Sequence, residues 1–218
     1  HRTTWLRSDL GEARQGNYSV SYVPADFTIS INNLDLGLTA ENGGGEYNAN
    51  PYYLNDVKAT GKAAEGSKIE YKVGDGEWSE EAPSRTDAGT LEGISVRVSK
   101  AGYETVQIDG LKIEVTPKPV TVTATDSGKL YGQADPEFTA TVSGTLNNDK
   151  ISYTVSRPGA GTDEEVNTYE DAIVAAGEAR QGNYSVSYVP ADFTIRTNNE
   201  DLGLTAENGG GEYNANPY

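Results

Sequence analysis

The chain has 218 residues, among them 25 Gly, 14 Tyr and 9 Pro, with one His, no Cys, no Met and a formal net charge of −16. Acidic residues spread along it repel phosphate backbones and anionic lipid surfaces, so neither nucleic acid nor membrane is expected as a partner. Disulfides and thiol chemistry are ruled out, and with His1 as the one imidazole, Ser-His triads and His-ligated metals are excluded as well.

The length suits about two domains of ordinary size. Few large aliphatics and many Thr, Val, Tyr and Gly point to short half-buried strands joined by turns, a mainly β chain. No run of about 18 apolar residues is present, and His1–Leu10 lacks the apolar core of a signal peptide, which reads as a piece of something longer.

In chain order, Gly11–Ile29 (GEARQGNYSVSYVPADFTI) comes first, and it returns unchanged as Gly177–Ile195 at an offset of 166 residues (177 − 11 = 166). After a divergent patch, Asp35–Tyr52 (DLGLTAENGGGEYNANPY) returns as Asp201–Tyr218. Repetition at a fixed period marks units duplicated whole, and a period this long implies multi-domain units rather than a solenoid. Gly43-Gly44-Gly45 within the second segment reads as a flexible loop, since no Lys-Ser/Thr and no helix follow it.

Clean alternation of apolar and polar residues then predicts strands over Ile69–Val73, Ile94–Val98 and Leu111–Val115, each suited to an antiparallel sheet with one wet face. The pattern resumes over Val120–Val122, Phe138–Val142, Ile151–Val155 and Tyr184–Tyr188. Turn signals separate these at Gly74-Asp75-Gly76, Asp126-Ser127-Gly128, Asn147-Asn148-Asp149 and Pro158-Gly159. One stretch, Glu164–Ala176, is a helix candidate through its Val166, Tyr169, Ile173 spacing, although its β-branched residues leave that assignment open. Pro117-Lys118-Pro119 is stiff and donor-poor and serves as the expected domain boundary.

The residues from Thr121 to Gly144 (TVTATDSGKLYGQADPEFTATVSG), with LNNDKISYTVSR, VNTYEDAI and the closing GNYSVSYVPADFTI, resemble the MBG domain of the YGX type, found in tandem in extracellular bacterial proteins. The resemblance covers nearly all of Val120–Ile195 and implies a β-grasp-like fold in which a sheet wraps a short helical or irregular crossover. Asn167 stands where that family usually has Gly. Leu34–Thr116 is similar to a bacterial Ig-like repeat through YKVGDGEWSEEAP, TDAGT and VRVSKAGYE. It departs at Leu91, where the family has Tyr, and at Glu92-Gly93, an added residue that predicts a bulge.

No catalytic and no cofactor-binding residue is assigned. The pairs Glu80-Glu81 and Glu164-Glu165 read as solvated charge, because adjacent carboxylates in extended chain point apart. Trp78 and Tyr103 are the candidate ligand-contact aromatics: Trp78 reads first as half-core and second as a sugar-stacking face, and an exposed patch joining the two would favour binding. Asn33 with Asp35, and Asn198 with Glu200 and Asp201, offer oxygen ligands of the kind Ca²⁺ takes, without a recognisable ligand loop. A Lys–Asn isopeptide crosslink has both reactants present but unpaired by the sequence.

The reading is therefore a mainly β array: residues 1–30 a leader plus orphan closing strands of a preceding MBG-like repeat, 31–117 an Ig-like β-sandwich, 118–195 a β-grasp-like MBG domain, and 196–218 the start of the next Ig-like repeat. What the resemblance implies is a non-catalytic stalk of a secreted, cell-wall-attached Gram-positive surface protein. The alternatives are an adhesive module for host glycan, mucin or protein, and an accessory domain of a secreted carbohydrate-active enzyme. Expected partners are neighbouring repeats of the same protein and, through Gly11–Ile29, a second chain head to tail.

Overall fold

The computed structural model describes residues 13–15, 18–20, 29–32, 34–199 and 203. These are strands and connections without a helix among the described residues: β1 (Ala13–Gln15), β2 (Tyr18–Val20), β3 (Gly37–Glu41), β4 (Gly43–Glu46), β5 (Asn55–Thr60), β6 (Lys68–Val73), β7 (Gly89–Ser99) and β8 (Val106–Thr116). They continue as β9 (Lys118–Ala124), β10 (Ser127–Leu130), β11 (Ala140–Ser143), β12 (Thr154–Ser156), β13 (Asn167–Ala176), β14 (Arg180–Gln181), β15 (Tyr184–Val189) and β16 (Ala191–Arg196). The mainly β expectation holds. The chain divides into two compact units, one of residues 1–44, 51–85 and 90–114, the other of 45–50, 86–89 and 115–218.

In the first unit β3 pairs antiparallel with β5, and a four-stranded sheet runs β4-β8-β7-β6. The alternation read over Ile94–Val98 and Leu111–Val115 places Ile94, Val96, Leu111 and Ile113 in one core, with Ile69 and Tyr71 of β6 and Leu38 of β3 packed against it. Burying each such side chain stabilises by about 1.5–3 kcal/mol. Leu91 packs on this same core. Gly93, in the stretch where a bulge is expected, takes φ +69, in the left-handed region. Gly43-Gly44-Gly45 is not the flexible loop expected of it: these glycines begin β4, where absence of a side chain allows Gly43 to meet the backbone of Tyr53 and Gly44 that of Glu114.

The second unit holds two four-stranded sheets, β10-β16-β13-β12 and β11-β9-β15-β14. Strand β13 of one lies against β9 and β15 of the other. Buried between them are Val120 and Val122 of β9, Ile173 of β13, Val186 of β15, and Phe193 and Ile195 of β16. Two pairings are parallel, β9 with β15 (Val120↔Val186) and β10 with β16 (Gly128↔Thr194), where antiparallel neighbours were expected. The predicted turn at Asp126-Ser127-Gly128 is shorter than expected, because β10 already starts at Ser127. Asn147 and Asn148 do turn, both in the left-handed region. The unit's short excursions join it through the closing Asn-Tyr pair: Asn183 accepts the Ala88 N–H at 2.8 Å and donates to Asp87 at 3.0 Å, and Tyr47 meets Tyr184 edge-on at 5.7 Å.

The helix candidate Glu164–Ala176 is corrected by β13, which makes Asn167–Ala176 strand and leaves 157–166 irregular. Tyr169 faces Phe193 and Ile173 faces Ala191, so four steps along β13 oppose two along β16. Asp171, at φ +53 with its N–H donated to Asp192 Oδ1 at 2.9 Å, sits inside that irregularity. The bulge inserts residues that break the period of two and imitate the spacing of a helix.

Candidate functional site

Trp78 follows the Gly74-Asp75-Gly76 turn and is folded back by Ser79, which exchanges backbone hydrogen bonds with Tyr71 at 2.7 and 2.9 Å. The indole lies under the Arg97 guanidinium, 4.3 Å from the ring centroid, with Lys72 Nζ at 5.3 Å. Arg97 stands opposite Glu70 across β6 and β7 and binds it at 2.8 Å, while Lys68 binds Glu70 at 2.9 Å and Glu80 at 3.0 Å. Lys68 and then Arg97 hold the Glu70 carboxyl below its usual range. Glu80 is therefore an exposed ion-pair partner rather than half of a reacting pair.

Tyr103 lies elsewhere. It packs on the cluster of Leu36, Ala63 and Val98, with Lys100 Nζ 5.8 Å from its ring. Arg97 and Val98 are successive strand residues and point to opposite faces of the sheet, so Trp78 over Arg97 and Tyr103 over Val98 do not form the joint patch that would favour binding. Saccharide titration is expected to leave the Trp78 emission unchanged. A saturable shift that disappears in Trp78→Ala would contradict this.

Of the candidate calcium ligands, Asn33, Glu200 and Asp201 lie outside the described residues. Asp35 accepts from the Asn32 amide at 2.9 Å, and the Asn198 amide donates to the Tyr131 carbonyl at 3.2 Å. Among the described residues no group of three or more acidic side chains could hold a metal ion.

The densest polar cluster was not singled out by sequence. Arg157, 1 % exposed, forks onto Asp135 with Nε at 2.7 Å and Nη2 at 3.0 Å, reaches Glu164 at 2.5 Å and donates Nη1 to the Asp163 carbonyl at 2.9 Å. Lys129, 6 % exposed, binds Asp135 Oδ1 at 2.8 Å and also contacts Glu164. The Arg157 guanidinium lies 4.3 Å over the Phe193 ring. Glu164, expected as solvated charge, is thus bound by two cations and by the Gly161 N–H at 2.9 Å. Asp135 sits in the Tyr131-Gly132-Gln133-Ala134-Asp135-Pro136 motif, which was a signal of family and not of a charge network.

An amine, a carboxyl and a second carboxylate in contact are the parts from which an intramolecular amide could form, with Lys129 nitrogen bonding to the Asp135 carbonyl carbon and water leaving. That step needs a neutral amine and a protonated acid. Arg157 holds Asp135 below the carboxylate range, Asp135 and Glu164 raise Lys129, and Lys129 first among its partners brings Glu164 to about 2. Every group is held in the unreactive form. Intact mass is expected to equal the sequence mass, and a loss of about 18 Da (water) or about 17 Da (ammonia) would show a crosslink instead.

Residues 120–194 match the model of the family described as MBG domain (YGX type). Among curated proteins none matches the chain. Of solved structures, the fibronectin(III)-like modules of Clostridium thermocellum CbhA are similar at 16 % identity, covering 80 % of this chain and 100 % of that one, with a TM-score of 0.25. That likeness bears on neither fold detail nor function.

Proposed function

We infer that this chain is a non-catalytic spacer of a secreted bacterial surface protein, in which an Ig-like and an MBG-like module alternate in tandem and hold a distal domain away from the cell wall. The observation that carries this is the 166-residue period, which brackets one whole MBG match with repeated segments on both sides. The all-β build, with the main charge network directed inward, supports a role in bearing shape rather than in reacting. Coverage of Trp78 by Arg97 supports a spacer over a glycan-stacking face.

The test compares proteins of one and two periods by small-angle scattering and by glycan and mucin binding. A spacer is expected to lengthen nearly in proportion to the number of periods and to bind neither ligand. Collapse of the longer protein to a globule overturns the spacer, and saturable binding replaces it with the adhesive reading.

A further inference from the structure

The two identical segments differ in burial at Ile29 and its equivalent Ile195. In the second copy Tyr184, Val186, Ala191, Phe193 and Ile195 are all buried, because β15 runs parallel to β9 and β16 lies between β10 and β13. In the first copy Ile29 is 81 % exposed, whereas its equivalent Ile195 is 1 % exposed. Ile31 and Leu34 beside it are also exposed.

The local part of the segment nevertheless forms in both. Strand β1 pairs with β2 in the register Arg14↔Ser19 and Gln15↔Tyr18, and β14 pairs with β15 as Arg180↔Ser185 and Gln181↔Tyr184. Adding 166 to each residue of the first pair gives the second. The strand pairing is therefore the same in both copies, while among the described residues the third strand that completes the sheet in the second copy has no counterpart beside β1 and β2.

We propose that Gly11–Ile29 and Gly177–Ile195 are interchangeable closing segments, so that Gly11–Ile29 of one chain fills the slot that β9, β10 and β13 form in a second copy of this chain. It enters by replacing the identical Gly177–Ile195. The occupant is specified by identity: every side chain that the slot receives from the second segment is present at the same place in the first. This inference rests on the equivalence of the two segments and not on the spacer role.

The exchange trades equal contacts, so in the unaltered chain the association entropy favours the monomer. Weakening the second segment removes that balance. The full chain carrying Phe193→Ala and Ile195→Ala still has Phe and Ile at the equivalent positions 27 and 29, and pairing between copies restores both side chains to the slot. We expect association strengthened by on the order of a hundredfold or more over the unaltered chain, read by light scattering. Hydrogen exchange of the Val120–Ala124 amides should stay slow in those assemblies. Adding Phe27→Ala and Ile29→Ala to the same chain should return it to a monomer and release that protection.

Three results overturn the proposal. The first is a weakened chain as monomeric and as unprotected as the fourfold variant. The second is equal association of both, which reports exposed apolar surface without strand replacement. The third is a protected monomer that depends on Phe27 and Ile29, which places the segment on its own chain and removes the second copy as partner.

Discussion

Replacement of Arg157 by Met is expected to destabilise the second unit by about 1–3 kcal/mol, the cost of taking a charged hydrogen-bond partner from two partly buried carboxylates that keep Lys129. Met fills similar volume against Phe193, so the loss reports charge more than cavity. Asp135 loses its two-pronged partner and Glu164 one of its two cations. Because the chain has two units, a single unfolding free energy is not defined, and hydrogen exchange of the β13 and β16 amides gives the local value. Adding Asp135→Asn should change the loss by less than the sum of the two single effects, since Asp135 keeps Lys129 at 2.8 Å when Arg157 is gone. An Arg157→Met chain as stable as the unaltered one would show that the network contributes nothing net.

The same network sets a pH dependence. Arg157 first, and then Lys129, lower Asp135 from its ordinary 3.8, and Glu164 falls from 4.5 to about 2. With folded values depressed, the unfolded chain binds more protons in acid. The stabilisation is present in full above the ordinary values and is lost as pH falls through them towards 2. Protection of β13 should therefore be flat from neutral pH to about 5 and decline below it, and Arg157→Met should make that decline shallower. A decline beginning near neutrality would rule out these carboxylates as its source.

Gly44→Ala is expected to cost the first unit at least about 3 kcal/mol, by adding backbone strain to a clash. Gly44 has φ +128, and a Cβ there would run into the carbonyl oxygen, carbonyl carbon and nitrogen of Glu114. All three are backbone atoms, so relief means separating β4 from β8. Gly66 is the control: its φ is +69 but a Cβ there meets open space, so Gly66→Ala should cost only about 1 kcal/mol of conformational strain. Trp78 emission in a denaturant titration reports the first unit. Equal losses in the two variants would mean that close approach to Glu114 is not what Gly44 provides.

Sequence by itself determined most of the strands whose pattern is local, although Ile151–Val155 alternates as cleanly and is strand only from Thr154. Ile69–Val73, Ile94–Val98, Leu111–Val115 and Tyr184–Tyr188 alternate without interruption, and all four lie inside observed strands. The MBG resemblance was legible for the same kind of reason, a contiguous run of unusual residues matched over 120–194. Tertiary structure decided what depends on partners distant along the chain. The bulge around Asp171 turned a helical spacing into strand β13, because its pairing with β16 is worth more than the propensity of a few residues. Gly43–Gly45 became strand because Tyr53 and Glu114 come close enough to require glycine, which nothing within the triplet announces. Lys129, Asp135, Arg157 and Glu164 are ordinary surface residue types up to 35 positions apart (164 − 129 = 35). Only the fold brings them together: Arg157 lies over Phe193 and is 1 % exposed, and a charge so enclosed must be paired.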